Sequence, residues 1–199
     1  MKIWIPSLRY HSGASVYTKR LVRMLLELGY EVEHSSFSKL HQLFPYLLKF
    51  KRPKAKPDIV IADSLTGFMF RGVGKKLIII EHHCIFDPVY TPYRSWQQLL
   101  VHELLWRYYE KKSLHSADHV ICVSEYTARS VQQIFGKLPV KVILNGIETE
   151  LFVPSKKQDK TLQSPIRLLF IGNLSRRKGA DLLPTIMQTL GNDFQLRYT

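Results

Sequence analysis

Leu77-Ile78-Ile79-Ile80, followed at once by Glu81-His82-His83, is the stretch on which the fold turns. An unbroken run of branched apolar residues has no polar face. It reads as a strand buried on both sides, as in a parallel sheet. Such a strand needs helices over it, and the chain supplies them in alternation. Asp58-Ile59-Val60-Ile61-Ala62 repeats the pattern. Residues 3–6, 31–37, 119–123 and 140–144 read as further strands. Between the strands, Tyr17, Leu21, Leu25 and Leu28 recur at helical spacing, in a helix closed by Gly29. Residues 39–50 carry a weaker helical pattern. Residues 96–114 form a long helix with Leu100, Leu104 and Tyr108 on one face, and residues 125–135 form another. This order predicts an α/β fold, a parallel sheet with helices on both faces and right-handed crossovers.

The pattern lapses after Asn145-Gly146. Residues 153–165 are polar and aperiodic, a linker composition. Strand, turn, helix and strand then resume over 166–171, 172–179, 181–190 and 194–198. The sequence therefore predicts a first domain over residues 1–152, a linker over 153–165, and the truncated start of a second strand–helix–strand domain over 166–199.

Composition narrows the function classes. The chain has 199 residues, 45% of them hydrophobic, which is too apolar for a disordered tail. Lys and Arg number 29 against 16 Asp and Glu, a net charge of +13, which favours anionic partners. Cys84 and Cys122 have no CxxC spacing, which excludes a disulfide-rich scaffold and a Cys-rich zinc site. Both read as buried free thiols. No histidine pairs with a carboxylate at metal-ligand spacing, so no metal is expected. The N-terminus reads as a strand rather than a signal peptide, and no apolar run approaches the ~20 residues that span a bilayer. A cytoplasmic protein is expected, one able to lie on the inner face of a membrane.

In an open parallel sheet, ligands bind beyond the carboxyl ends of the strands. Ser12-Gly13, Asp63-Ser64, Glu81-His82-His83, Ser124-Glu125 and Asn145-Gly146 all follow strands. Gly13 precedes a helix, so it reads either as a tight turn or as a place where helix N–H groups approach an anion. Adjacent residues on an extended segment point to opposite sides, so one of His82 and His83 faces a shared cleft. A histidine at a strand end reads either as a structural residue or as an imidazole suited to hydrogen bonding a reacting hydroxyl near neutral pH. Gly172-Asn173-Leu174-Ser175-Arg176-Arg177-Lys178-Gly179 sets three cations before a helix, which reads either as a phosphate site or as a solvated basic turn. Its spacing is not that of a Walker loop. Lys49, Lys51, Arg52, Lys54 and Lys56 follow the apolar run Leu43-Phe44-Pro45-Tyr46-Leu47-Leu48. That combination suits an anionic membrane surface, or is a solvated loop. Nucleic acid is the weaker reading, because there is no RNP aromatic motif and no KH-type GXXG loop.

Together the motifs resemble a known family. Ala117-Asp118-His119-Val120-Ile121-Cys122-Val123-Ser124-Glu125 and Asn145-Gly146-Ile147-Glu148, with Phe152 and Pro154 behind, are similar to the signature run of group 1, family-4-type glycosyltransferases of the GT-B fold. Phe170-Ile171-Gly172 through Lys178-Gly179 resembles the opening of that family's donor domain. Gly29-Tyr30-Glu31-Val32 resembles its first helix ending. The resemblance implies a retaining enzyme in which two Rossmann-like domains face a cleft. It would transfer a hexose from a nucleotide-sugar to a lipid-linked or polysaccharide acceptor, as in cell-envelope polysaccharide synthesis. The nucleotide-sugar would be a co-substrate, and no cofactor is implied. By motif position, His82 would lie near the transferred sugar as the catalytic residue, with His83 the fallback. Gly13, Arg177 and Lys178 would bind the donor phosphates. Asn173 stands where the family often has Arg. The family's paired-glutamate segment falls beyond Thr199, which implies that this chain alone is inactive. The alternative is a non-catalytic Rossmann-like module for membrane or partner binding.

Overall fold

The computed structural model describes residues 1–9, 13–154 and 164–199. Ser12 and most of the 153–165 linker lie outside the described residues. The chain packs as two units, Met1–Gly146 and Ile147–Thr199.

The first unit is built on a parallel sheet of six strands: β1 (Lys2–Leu8), β2 (Glu31–Phe37), β3 (Ile59–Asp63), β4 (Lys76–Glu81), β5 (His119–Cys122) and β6 (Val140–Val142). Their spatial order is β2-β1-β3-β4-β5-β6. The two-residue period of the strands divides the core. Trp4, Val60, Ala62, Leu77, Ile79, Val120 and Cys122 point to one face. There they meet Leu114 of α3 (Arg107–Ser116) and Ala128, Val131 and Phe135 of α4 (Glu125–Phe135). Ile3, Ile5, Ile61 and Ile80 point to the other face, against Tyr17, Leu21, Val22 and Leu25 of α1 (Gly13–Glu27). Helices thus cover both faces, as the apolar runs require. Gly29, at φ +82°, closes the turn between α1 and β2 in a conformation that L side chains rarely adopt.

The signature run has a mechanical reading. Asp118 Oδ2 accepts the Leu77 N–H at 2.8 Å and ion-pairs with Arg71 at 2.6 Å, which clips the start of β5 to the start of β4. Ser124 is the N-cap of α4 and accepts the Thr127 N–H at 3.0 Å, with Glu125 in the first turn of the helix.

Three local expectations differ from the structure. β1 runs past Pro6 to Leu8, and residues 39–50 form 3₁₀ turns rather than an α-helix. The third difference lies in the long helix. Here α2 (Trp96–Val101) continues through a π turn (His102–Trp106) into α3. The stripe of Leu100, Leu104 and Tyr108 faces outward. The buried side carries His102, Tyr109, Glu110, Ser113 and Leu114 instead.

The second unit contains β7 (Ile166–Phe170) paired in parallel with β8 (Phe194–Tyr198), with α5 (Leu183–Leu190) between them in the chain.

Candidate functional site

The direction of the β1 hydrogen bonds explains where the sheet opens. Lys2 C=O accepts the Asp58 N–H, while Met1 C=O accepts the Glu31 N–H. Even-numbered residues of β1 therefore address β3, and odd-numbered ones address β2. Pro6 is even and has no N–H to give. The β1–β3 ladder accordingly holds only Ile3–Ile59 and Trp4–Val60, whereas β1–β2 pairing runs the full strand. Beyond Trp4 and Val60 the two strands part. This is also the point where strand order reverses, the place where open α/β sheets bind ligands.

A cleft of ≈ 60 Å³ lies there, lined by Pro6, Ala14, Ser15, Tyr17, Asp63 and His82 among others. It holds a few waters, not a nucleotide-sugar. His82 is half-buried, with its ring edge-on to Tyr17 and centroids 4.8 Å apart. Burial holds its pKa below the usual imidazole value, so the ring is neutral at pH 7 and can accept or donate a hydrogen bond. Burial likewise raises the Tyr17 phenol. His83 is exposed and faces Tyr90, with centroids 6.0 Å apart. The first turn of α1, which begins at Gly13, borders the cleft through Ala14 and Ser15. A Cβ on Gly13 would meet nothing within 4 Å, so packing does not demand a glycine there.

Arg177 and Lys178 belong to the second unit. They sit in a 3₁₀ turn, Arg176–Lys178, closed by Gly179 at φ +77°. Arg176 pairs with Asp181 at 3.7 Å.

Beneath the cleft lies a feature that motif spacing did not single out. Glu81 ends β4 and is 4% exposed; Glu110 of α3 is 2% exposed. Glu81 Oε1 accepts the His83 N–H at 3.3 Å. Glu81 Oε2 and Glu110 Oε1 are buried without a donor among the described residues. The two carboxyls are within hydrogen-bonding reach of each other, so a proton shared between them satisfies both. Burial pushes Glu81 up to about 7, although hydrogen bonds from Ser64 and His83 pull the other way. Burial and the neighbouring Glu81 raise Glu110 well above the usual carboxylate range. Burial also raises Asp63, whose oxygens accept the Thr66 N–H and hydroxyl. The signal available in the sequence was positional: Glu110 shares a helix side with Trp106, Tyr109 and Leu114.

Cys84 and Cys122 are buried and unpaired, with thiols pushed up to about 12 by burial. Among the described residues, no group of three or more His, Cys, Asp or Glu is placed to hold a metal ion. Among the same residues, no helix is long and apolar enough to cross a membrane.

The sequence model of Glycosyltransferase Family 4 matches residues 33–151. No curated protein matches the chain. Among solved structures the chain is similar to the crystal structure of Anabaena Alr3699/HepE in complex with UDP and glucose, with a TM-score of 0.64 and 17% identity over 100% of this chain. The chain spans 60% of the length of that protein's chain. At this identity the likeness is one of fold, a GT-B glycosyltransferase fold.

Proposed function

This chain belongs to Glycosyltransferase Family 4, and from that membership we propose that it forms the acceptor domain, and the beginning of the donor domain, of an enzyme that transfers a hexose from a nucleotide-sugar to a lipid-linked or polysaccharide acceptor. The observation that carries the reading is the cleft at the β1–β3 parting, where a neutral His82 and the glycine-led start of α1 meet. The complex of the Anabaena neighbour with UDP and glucose supports a nucleotide-sugar as donor.

In this reading the roles carry over by motif position, and the charges of the residues fit them. Negative charge develops on the leaving nucleoside diphosphate as the bond between its phosphate oxygen and the sugar's anomeric carbon breaks and the acceptor oxygen forms the new glycosidic bond. Positive charge and helix N–H groups stabilise it most where it forms. Lys178 takes the diphosphate, Arg177 assists, and Gly13 lets the backbone come close. His82 hydrogen-bonds a hydroxyl of the sugar being transferred, a task for which a neutral imidazole serves better than a charged one. The basic run Lys49 to Lys56 supports an acceptor held at an anionic membrane.

Calorimetric titration of an enzyme carrying both domains with uridine- and guanosine-diphosphate sugars tests this. Heat that disappears in Lys178→Ala is the expected result. Absence of heat with every nucleotide-sugar would overturn the reading and favour the non-catalytic module.

A further inference from the structure

The outward stripe of the long helix is the largest feature that the cleft does not use. Trp96, Leu100, Leu104 and Tyr108 are 72%, 54%, 67% and 54% exposed. They recur every four residues over about 18 Å of helix. A strict four-residue spacing drifts around an α-helix. The π turn at His102–Trp106 underwinds it, which lessens the drift and keeps the four on one ridge. Monomeric proteins rarely leave a contiguous apolar ridge bare without a use for it.

The ridge does not stand alone. Lys112 Nζ lies 5.6 Å from the Tyr108 ring centroid and 5.7 Å from that of Tyr46. This lysine joins the ridge to the 3₁₀ turn Pro45–Phe50, where Leu47 and Phe50 are 59% and 83% exposed, with Phe44 beside it at 61%. From that turn the exposed cations Lys49, Lys51, Arg52, Lys54 and Lys56 follow, with one carboxylate against them, that of Glu33, which accepts the Lys54 N–H at 2.9 Å. The exposed acid on the helix, Glu103, is neutralised by Arg107 and Arg94.

We propose that this face docks the protein on an anionic lipid bilayer. The aromatic and aliphatic ridge enters the headgroup layer, and the 49–56 cations lie on the surface. Charge complementarity selects the occupant. Five exposed cations against the single carboxylate of Glu33 leave a net positive surface that fits a continuous negative one. Tryptophan, tyrosine and long basic side chains are the residues that settle at a membrane–water boundary. The surface is a ridge rather than a groove, which suits a deformable bilayer better than a folded partner. The inference deepens the lipid-linked acceptor part of the proposed function. Its test uses no sugar chemistry, so vesicle binding and donor binding succeed or fail separately.

The chain is sedimented with phosphatidylglycerol–phosphatidylcholine vesicles and with phosphatidylcholine vesicles alone, at low and high salt. Partition to the anionic vesicles, weakened by salt, is expected. Replacing the five cations of 49–56 by Gln lowers the partition coefficient on the order of a thousandfold, at roughly fivefold per charge. Leu100→Ser with Leu104→Ser lowers it about tenfold or more. All of these side chains are exposed, so the circular dichroism of the variants stays that of the wild type. Trp96 emission, taken as the difference from Trp96→Phe, shifts to the blue on anionic vesicles. Equal binding to neutral and anionic vesicles overturns the proposal. So does wild-type binding by the leucine double variant with Trp96 still in water. A concentration-dependent dimer that this variant abolishes, without vesicle binding, also overturns it and assigns the ridge to a second copy.

Discussion

Replacing Glu110 by Gln should change how the first unit responds to pH more than how it folds. Glutamine keeps the size of the side chain and a donor for Glu81, but cannot ionise. In the native state Glu81 and Glu110 hold protons that their unfolded counterparts release near the ordinary value of 4.5. A carboxyl raised in this way stabilises fully below its unfolded pKa, and that contribution is lost as pH rises through the folded one. Each such carboxyl therefore removes about 1.4 kcal/mol of stability per pH unit within its window. For Glu81, raised from 4.5 to about 7, the loss totals about 3 kcal/mol. Glu110, raised by burial and by Glu81, adds a loss of the same sign. Histidines lowered by burial, such as His82 and His102, act oppositely below about pH 6.5. They are common to both proteins and cancel in the difference. Above the ordinary carboxylate value, for as long as Glu110 stays protonated in the native state, the Gln variant should gain on the wild type as pH rises, by at most about 1.4 kcal/mol per pH unit for the one carboxyl removed. Urea unfolding followed by tryptophan fluorescence measures this, because Trp4, Trp96 and Trp106 all lie in the first unit. Parallel pH–stability curves for the two proteins would refute the shared proton.

In an enzyme carrying both domains, His82→Ala should lower turnover on the order of a hundredfold with little change in unfolding midpoint. Unchanged turnover moves the role to His83 or removes it. Lys178→Ala should raise the KM for the nucleotide-sugar, and indifferent donor kinetics would end the phosphate assignment. Asp118→Ala strands the Leu77 N–H and breaks the Arg71 ion pair, so urea unfolding should register a loss of about 1–3 kcal/mol. The donors around Asp118, the Leu77 amide first, hold its carboxyl below the usual range. Wild-type stability from this source is therefore present above the ordinary carboxylate pKa and is lost as the medium is acidified through the lower native value.

The sheet was largely legible, because strands buried on both faces leave no ambiguity of period. Residues 31–37 and 194–198 read as the strands that form, and the 77–80 and 58–62 runs fall within a residue of theirs. The reading stopped β1 at Pro6 because proline ends most central strands. It could not see that the missing N–H falls on the β3 side alone, so that β2 carries the strand on to Leu8. The outward stripe of the long helix escaped for a related reason. Periodicity finds an apolar face but does not say what lies against it, and here the core takes the side bearing Glu110. A carboxyl among core residues is invisible to any hydrophobic pattern, because its burial depends on a partner from β4.

The strand period of β4 distributes the chemistry of the site, and it does so residue by residue. Ile78 and Ile80 face α1, while Leu77 and Ile79 face the side covered by α3 and α4. Continued by one residue, the same alternation sends Glu81 to the α3 side, where Glu110 meets it. Continued by two, it sends His82 to the α1 side, where Tyr17 and the β1–β3 cleft meet it. The pair left open by the sequence, His82 or His83, is thus separated by parity once the face of α1 is known. Parity also makes the proton dyad and the cleft histidine neighbours in the chain on opposite faces of the sheet. They are linked through the His83 N–H that Glu81 accepts.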